Sequence, residues 1–389
     1  MIDAEGRALG VTPANWLDGP YNRWGFRHVH ELARTAPIDR GAGPVRELPR
    51  GERDLAGFAF AWGDRTLSLE EMLGETFTDG FLVIQDGVVL TERYLDGMRE
   101  TDLHLLMSCS KSLTALLCGI LAGRGLLAPD DLVAWHLPEL AGTAWEGCTL
   151  QHILDMRTGN AWDYDVDEFT ILDVSDYRTH ELHGAIPRDT ETWIRTIGRG
   201  AIAHGTGPFR YCSLATDVLG WVLERVGGAP FPELFAREVW SKIGAERDAQ
   251  IMLDRSGFAI VEGGICTTLR DLGRLGLLCL EGGAAPGGPL VPPTWLARLV
   301  VPDEMLIAAF RDSSSADPGA PNAFYHDAWW VHDAERGIYA ALGMNGQSIV
   351  VHRPARVVVV KFSTLPGALE LERFALQQAG MIALAEHLG

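Results

Sequence analysis

Lysine is almost missing: of 33 basic residues only Lys111, Lys242 and Lys361 are lysines, and the rest are arginines. Arginine stays protonated at any workable pH, whereas burial can remove the charge from a lysine. An amine acting as a base in this chain must therefore be one of those three. Paired cysteines are lacking as well. Cys109, Cys118, Cys148, Cys212, Cys266 and Cys279 form no CxxC motif, which speaks against zinc frames and disulfide scaffolds and fits free thiols in a reducing compartment. The nearest histidine pairs, His28/His30 and His180/His183, have no cysteine or carboxylate at ligand spacing, so neither a metal nor a cofactor is expected.

Positive charge is in deficit too. A formal net charge of −19 and a pI near 5.0 argue against partners recognised by clustered cations, nucleic acid and anionic membrane alike. No apolar stretch reaches membrane length: the longest, near Leu113 to Ala122, is about half a span and ends at Arg124. Met1 to Gly10 carries Asp3, Glu5 and Arg7 without a long apolar core, so no secretory signal is read there and a cytoplasmic location is the expectation. There is no internal repeat and no low-complexity segment.

What is present is a globular chain of 389 residues with 47% hydrophobic content. Its first sixty residues, rich in Pro, Gly and Arg, read as a largely irregular lead-in. Phe81 to Ile84, the turn Asp86-Gly87 and Val88 to Leu90 predict a β-hairpin. From Lys111 to Gly123 the apolar residues Leu113, Leu116, Leu117, Ile120 and Leu121 fall at helical spacing, with Ser108 at the helix N-terminus. Pro129 to Ala249 is mainly helical, with apolar-periodic segments at Leu150 to Leu154, Thr190 to Ile197 and Leu214 to Val226. Strand patterns return at Trp329 to Val331, Ile338 to Leu342, Ser348 to Val351 and Val357 to Phe362, followed by an amphipathic stretch from Leu369 to Leu388. The expected fold is α/β of the α+β type, an antiparallel sheet built from both ends of the chain and flanked by helices. Residues 1–100 and 250–389 would form a sheet subdomain, and residues 101–249 a mainly helical one.

Ser108-Cys109-Ser110-Lys111 places a hydroxyl and an amine one helical turn apart, on one face. Serine is a poor nucleophile at neutral pH and needs a base within hydrogen-bond reach; a sheltered Lys111 can be that base. A helix opening at Ser108 also turns its backbone N–H and its dipole toward the oxyanion that develops on a reacting carbonyl. About a hundred residues on, Tyr211-Cys212-Ser213 precedes another apolar helix, and a phenol held near Lys111 could pass a proton to the leaving group.

The order Ser-x-x-Lys, Tyr-x-Ser and a Gly-rich strand near the C-terminus resembles the β-lactamase-related serine hydrolases, the group of class C β-lactamases, family VIII esterases and acyltransferases. Within it, His104-Leu-Leu-Met-Ser108-Cys-Ser-Lys111-Ser-Leu113, Leu137-Pro-Glu-Leu-Ala-Gly142, Tyr211-Cys-Ser213, Thr216-Asp-Val-Leu219 and Gly346-Gln347 are most similar to the 6-aminohexanoate-dimer hydrolase branch. The likeness runs from about Tyr21 to the C-terminal helix.

That resemblance implies a β-lactamase/transpeptidase-like fold and an acyl-enzyme on Ser108, with Lys111 as base and Tyr211 as proton shuttle. The N–H groups of Ser108 and Met344 would form the oxyanion hole. Trp330 would line the acyl pocket, and Ser213 would join the substrate-binding residues. The Lys-Thr-Gly box of true β-lactamases is replaced by Ala341-Leu342-Gly343 and there is no Ser-Asp-Asn box, which argues against efficient β-lactam hydrolysis and against the class A arrangement. The second tyrosine of the branch aligns with Val166, with Trp162 and Tyr164 close enough in sequence to substitute for it. Glu262 falls where the branch faces substrate and would favour an amine-bearing one. The implied partner is a small-molecule ester or amide, with ester or an unusual amide preferred, acyl transfer as the alternative activity, and homodimer formation left open.

Overall fold

The turn Asp86-Gly87 has φ of 49° and 78° at its two central residues, the doubly left-handed geometry that matches strand twist in a two-residue hairpin. It joins β1 (Thr78–Gln85) to β2 (Val88–Tyr94). The computed structural model describes residues 1–51, 53–178, 186–317 and 319–389. The late strands are β3 (Phe324–His326), β4 (Trp329–Asp333), β5 (Ile338–Gly343), β6 (Gln347–His352) and β7 (Val357–Ser363), and with the hairpin they form one seven-stranded antiparallel sheet in the order β3-β4-β5-β6-β7-β1-β2. Strands from both ends of the chain thus share one sheet, because β7 pairs with β1 from Val357↔Gln85 to Ser363↔Thr78.

Side chains alternate between the two faces of this sheet. Phe81, Val83, Val357 and Val359 pack against the C-terminal helix α5 (Leu371–Leu388), while Leu82, Ile84, Val358 and Val360 face the other side. There α4 (Leu269–Leu280) approaches so closely that a Cβ at Gly276 would lie 2.3 Å from Val358 Cγ1. Burying each such Val, Leu or Phe contributes roughly 1.5–3 kcal/mol.

The central helix α1 (Cys109–Gly123) is buried at every residue from Cys109 to Leu121, its polar residues Ser110, Lys111, Ser112 and Thr114 included. Beside it lie α2 (Tyr164–Val174) and α3 (Ser213–Gly227). A four-stranded sheet not evident in the sequence pattern runs Arg34–Ile38, Ala249–Leu253, Ile265–Thr267, His104–Leu105. It adds order to the largely irregular lead-in, whose first sixty residues contain the short helices Ala4–Leu9, Asn22–Gly25 and Val29–Leu32, and the strand Arg34–Ile38. That strand carries Pro37, tolerated because the strand lies at the sheet edge. Its partner is distant in sequence, so no local periodicity announces it. The innermost pairing, Leu105↔Cys266, and the bond from Leu106 N–H to Ile265 O (2.9 Å) tie the approach to Ser108 to the segment after Glu262.

Candidate active site

Ser108 stands between a strained residue and a helix. Met107 has φ of 47°, which a non-glycine residue adopts only under constraint, and α1 starts at Cys109. The i to i+3 spacing then brings Lys111 Nζ to 2.9 Å from Ser108 Oγ. Lys111 is 1% exposed and donates as well to the backbone carbonyl of Glu262 (2.8 Å) and to its carboxylate Oε2 (3.2 Å). Tyr211 comes in just before α3, its ring centroid 5.0 Å from Lys111 Nζ. Burial pushes the Tyr211 phenol well above its ordinary value, against the opposing pull of its hydrogen bond with Ser108, so it is a proton donor at neutral pH.

A cavity of about 420 Å³ opens over these groups, with Ser108, Tyr211, Trp330 and Met344 in its lining. The Tyr211 and Trp330 rings stack at 5.9 Å and 21°. Gly343 is what allows β5 to approach the nucleophile: a Cβ there would lie 2.4 Å from Leu106 O. The close approach sets Met344 and Ser108 on the same cavity, the arrangement a pair of oxyanion-binding N–H groups requires. Among the described residues no lysine or arginine lines this cavity, whereas Asp165 and Glu168 do.

The expected substrate-binding residues divide. Trp330 and Tyr164 line the cavity. Val166 does not: it is 56% exposed on the outer face of α2. Trp162 is buried against Trp193, ring centroids 5.1 Å apart, and is likewise outside the lining. Tyr164 is the aromatic residue of this segment that enters, meeting Tyr211 edge-on at 6.3 Å, and burial pushes its phenol up to about 12. Glu262 is turned away from the expected substrate and backs Lys111 instead, because the four-stranded sheet feeds its segment in beneath α1. Ser213 is also redirected: its N–H and Oγ donate to Glu168 at 2.8 and 2.7 Å.

Glu168 is the residue sequence reasoning missed. It is 1% exposed, and burial pushes its carboxyl up. A carboxylate at helical spacing from Tyr164 was the only available signal, and such residues are usually solvated. Deeper in, Asp217 accepts from Glu262 N–H at 3.2 Å, and burial raises its carboxyl well above the ordinary range.

Among the described residues, Asp3, His28 and Glu31, and separately Asp155, His326 and Asp327, bring three ligand atoms within 4.8 Å of one another. In the second group Arg298 and Gln151 already hold the carboxylates. His180 and His183 lie outside the described residues. No helix among the described residues is long and apolar enough to cross a membrane.

A family model described as Beta-lactamase matches residues 69–380. The chain is 36% identical over 376 residues to 6-aminohexanoate-dimer hydrolase of Paenarthrobacter ureafaciens, covering 93% of this chain and 90% of that protein. It is 32% identical over 143 residues to Esterase EstB of Burkholderia gladioli, a stretch of 34% of each chain. Among solved structures, a candidate 6-aminohexanoate-dimer hydrolase from Bacillus anthracis superposes with a TM-score of 0.88 at 25% identity, covering 98% of this chain and 97% of that one.

Proposed function

Because the chain belongs to the β-lactamase family, and is a serine hydrolase of ester or amide bonds, we propose that its acyl-enzyme forms on Ser108, with Lys111 as base and Tyr211 as proton shuttle. The observation that carries this reading is the 2.9 Å contact between Lys111 Nζ and Ser108 Oγ, made beneath a cavity that Ser108 and Tyr211 line.

In the first half-reaction Ser108 Oγ attacks the carbonyl carbon while its proton passes to Lys111. The N–H groups of Ser108 and Met344 hold the oxyanion. Tyr211 then gives its phenolic proton to the departing alcohol or amine and recovers one from Lys111. Water repeats the sequence in reverse to release the acid. Kinship with hydrolases supports water as the acceptor, and acyl transfer is not favoured.

Tyr164 adds a second phenol to the cavity, which removes the ground for preferring esters that the alignment of Val166 supplied; linear amides and esters both fit. Acids without a cation in the lining oppose anionic substrates, so β-lactam carboxylates are poor candidates. We read the substrate as a small molecule, the helical part as residues 101–249 folded against the sheet part, and the location as cytoplasmic, the last supported by six free, buried cysteines.

The test is an intact-protein mass spectrum after exposure to a panel of activated esters, amides and lactams. A mass increment that vanishes in Ser108→Ala supports the reading. An unchanged increment, or p-nitrophenyl acetate turnover that survives Ser108→Ala, overturns it.

A further inference from the structure

Lys361 takes no part in the steps at Ser108, yet it is one of only three lysines and lies fully buried on β7. Sealing an amine inside a fold is costly, and burial pushes this one down to about 7, against the pull of the Asp79 charge. Three acceptors surround it. Nζ donates to Thr76 O at 3.1 Å, to Gln377 Oε1 at 3.0 Å and to Ser363 Oγ, whose own hydrogen goes to Thr76 O at 3.1 Å. The protonated amine meets each acceptor with one N–H.

Beyond these acceptors stands the turn between β5 and β6, Met344 to Gly346, which carries the N–H assigned to the oxyanion hole. Asn345 and Gly346 have φ of 57° and 95°, and an asparagine persists in that left-handed region only where its surroundings hold it. Side-chain amides do the holding. Gln377 Nε2, from α5, donates to Gly346 O at 3.3 Å, and Gln347 Nε2 donates to Met344 O at 3.2 Å and to Ser363 O at 2.6 Å. The Ser363 N–H returns a bond to Gln347 Oε1 at 3.1 Å. Lys361 decides which way round Gln377 lies: a protonated amine only donates, so the amide oxygen must face it and the amide N–H groups are left for Gly346 O.

We propose that Lys361 is a positioning residue for the oxyanion hole, acting through Gln377 and Ser363 to hold the Met344–Gly346 turn where the Met344 N–H meets the developing oxyanion. The hole is sensitive to such support because its donors act only when they are already aimed at the place where charge develops. This inference rests on the reading of Ser108 as the acylated residue and of Met344 as an oxyanion donor.

The experiment measures Ki for phenylboronic acid, which adds to a serine Oγ as a tetrahedral anion, beside kcat/KM for p-nitrophenyl acetate. Both are taken at about pH 6, where Lys361 keeps its proton. Gln377→Glu retains an acceptor against Lys361 but removes the N–H that Gly346 O receives. It is expected to raise Ki and lower kcat/KM by a similar factor, about ten- to hundredfold, the range for a misplaced oxyanion donor. Lys361→Met should move both in the same direction, and Gln377→Glu decides alone should that variant fail to fold. Ki does not depend on how much of the enzyme is folded, so a purely structural role would lower the rate and leave Ki where it was. An unchanged Ki in Gln377→Glu, with or without a loss of rate, would overturn the positioning role. A Ser108→Ala variant that still binds the boronate as tightly as the wild type would instead defeat the nucleophile assignment, so the two failures are separable.

Discussion

Lys111 is held from behind by Glu262, whose backbone carbonyl and carboxylate oxygens lie 2.8 and 3.2 Å from Nζ. Together with Ser108 Oγ at 2.9 Å, these two oxygens are the hydrogen-bond partners that fix where the amine points. The relationship makes Glu262 a positioning group and gives the first prediction. Glu262→Gln keeps an acceptor in place and should retain kcat for p-nitrophenyl acetate within about tenfold, whereas Glu262→Leu should lose about a hundredfold, the cost of a misaimed catalytic group. A leucine variant with wild-type kcat would remove the positioning role.

Lys111→Arg keeps the charge but loses the base, since a guanidinium does not release its proton. Its kcat should fall by roughly the full general-base contribution, about a hundred- to ten-thousandfold, close to that of Lys111→Ala. Steady-state kinetics on the acetate ester decide it, and an active arginine variant would rule out Lys111 as the base.

Tyr164 and Val166 separate two accounts of amide cleavage. Tyr164→Phe is expected to lower anilide hydrolysis more than ester hydrolysis, because an amine leaving group needs a proton more than an alkoxide-type one does. Val166→Tyr should leave the ratio of the two rates unchanged, since position 166 points to solvent. The opposite pattern would mean that the loop before α2 rearranges on binding substrate.

Asp217 predicts how stability follows pH. Its buried carboxyl is raised well above the ordinary range, so the folded protein keeps a proton that the unfolded chain releases above about pH 4. That contribution is complete below the unfolded value and is lost as pH climbs toward the folded one, at no more than about 1.4 kcal/mol per pH unit for one group. Glu168, raised in the same direction, adds to the decline. Thermal unfolding of Asp217→Asn between about pH 5 and pH 8 should therefore show a smaller drop in Tm than the wild type. An equal or steeper drop would show that Asp217 releases its proton in the folded state.

Local chemistry was legible in the chain itself. The Ser-x-x-Lys spacing meets on one helix face because a helix repeats every 3.6 residues, and Asp86-Gly87 turns the hairpin because both residues tolerate positive φ. The short apolar runs of β5 to β7 and the helical spacing of Leu113, Leu116, Leu117, Ile120 and Leu121 in α1 likewise announced a sheet and a helix. Contacts between residues far apart in sequence were not legible. Glu262 reaches Lys111 across 151 positions, and Glu168 reaches Ser213 across 45, and no periodicity encodes either distance. Tyr164 and Val166 stand two residues apart on α2, about half a turn, so one lines the cavity while the other points to solvent, and packing decides which face turns inward. Covalent neighbours set which groups can react, and only packing, which answers to shape and burial across the whole chain, decided which of them face the substrate.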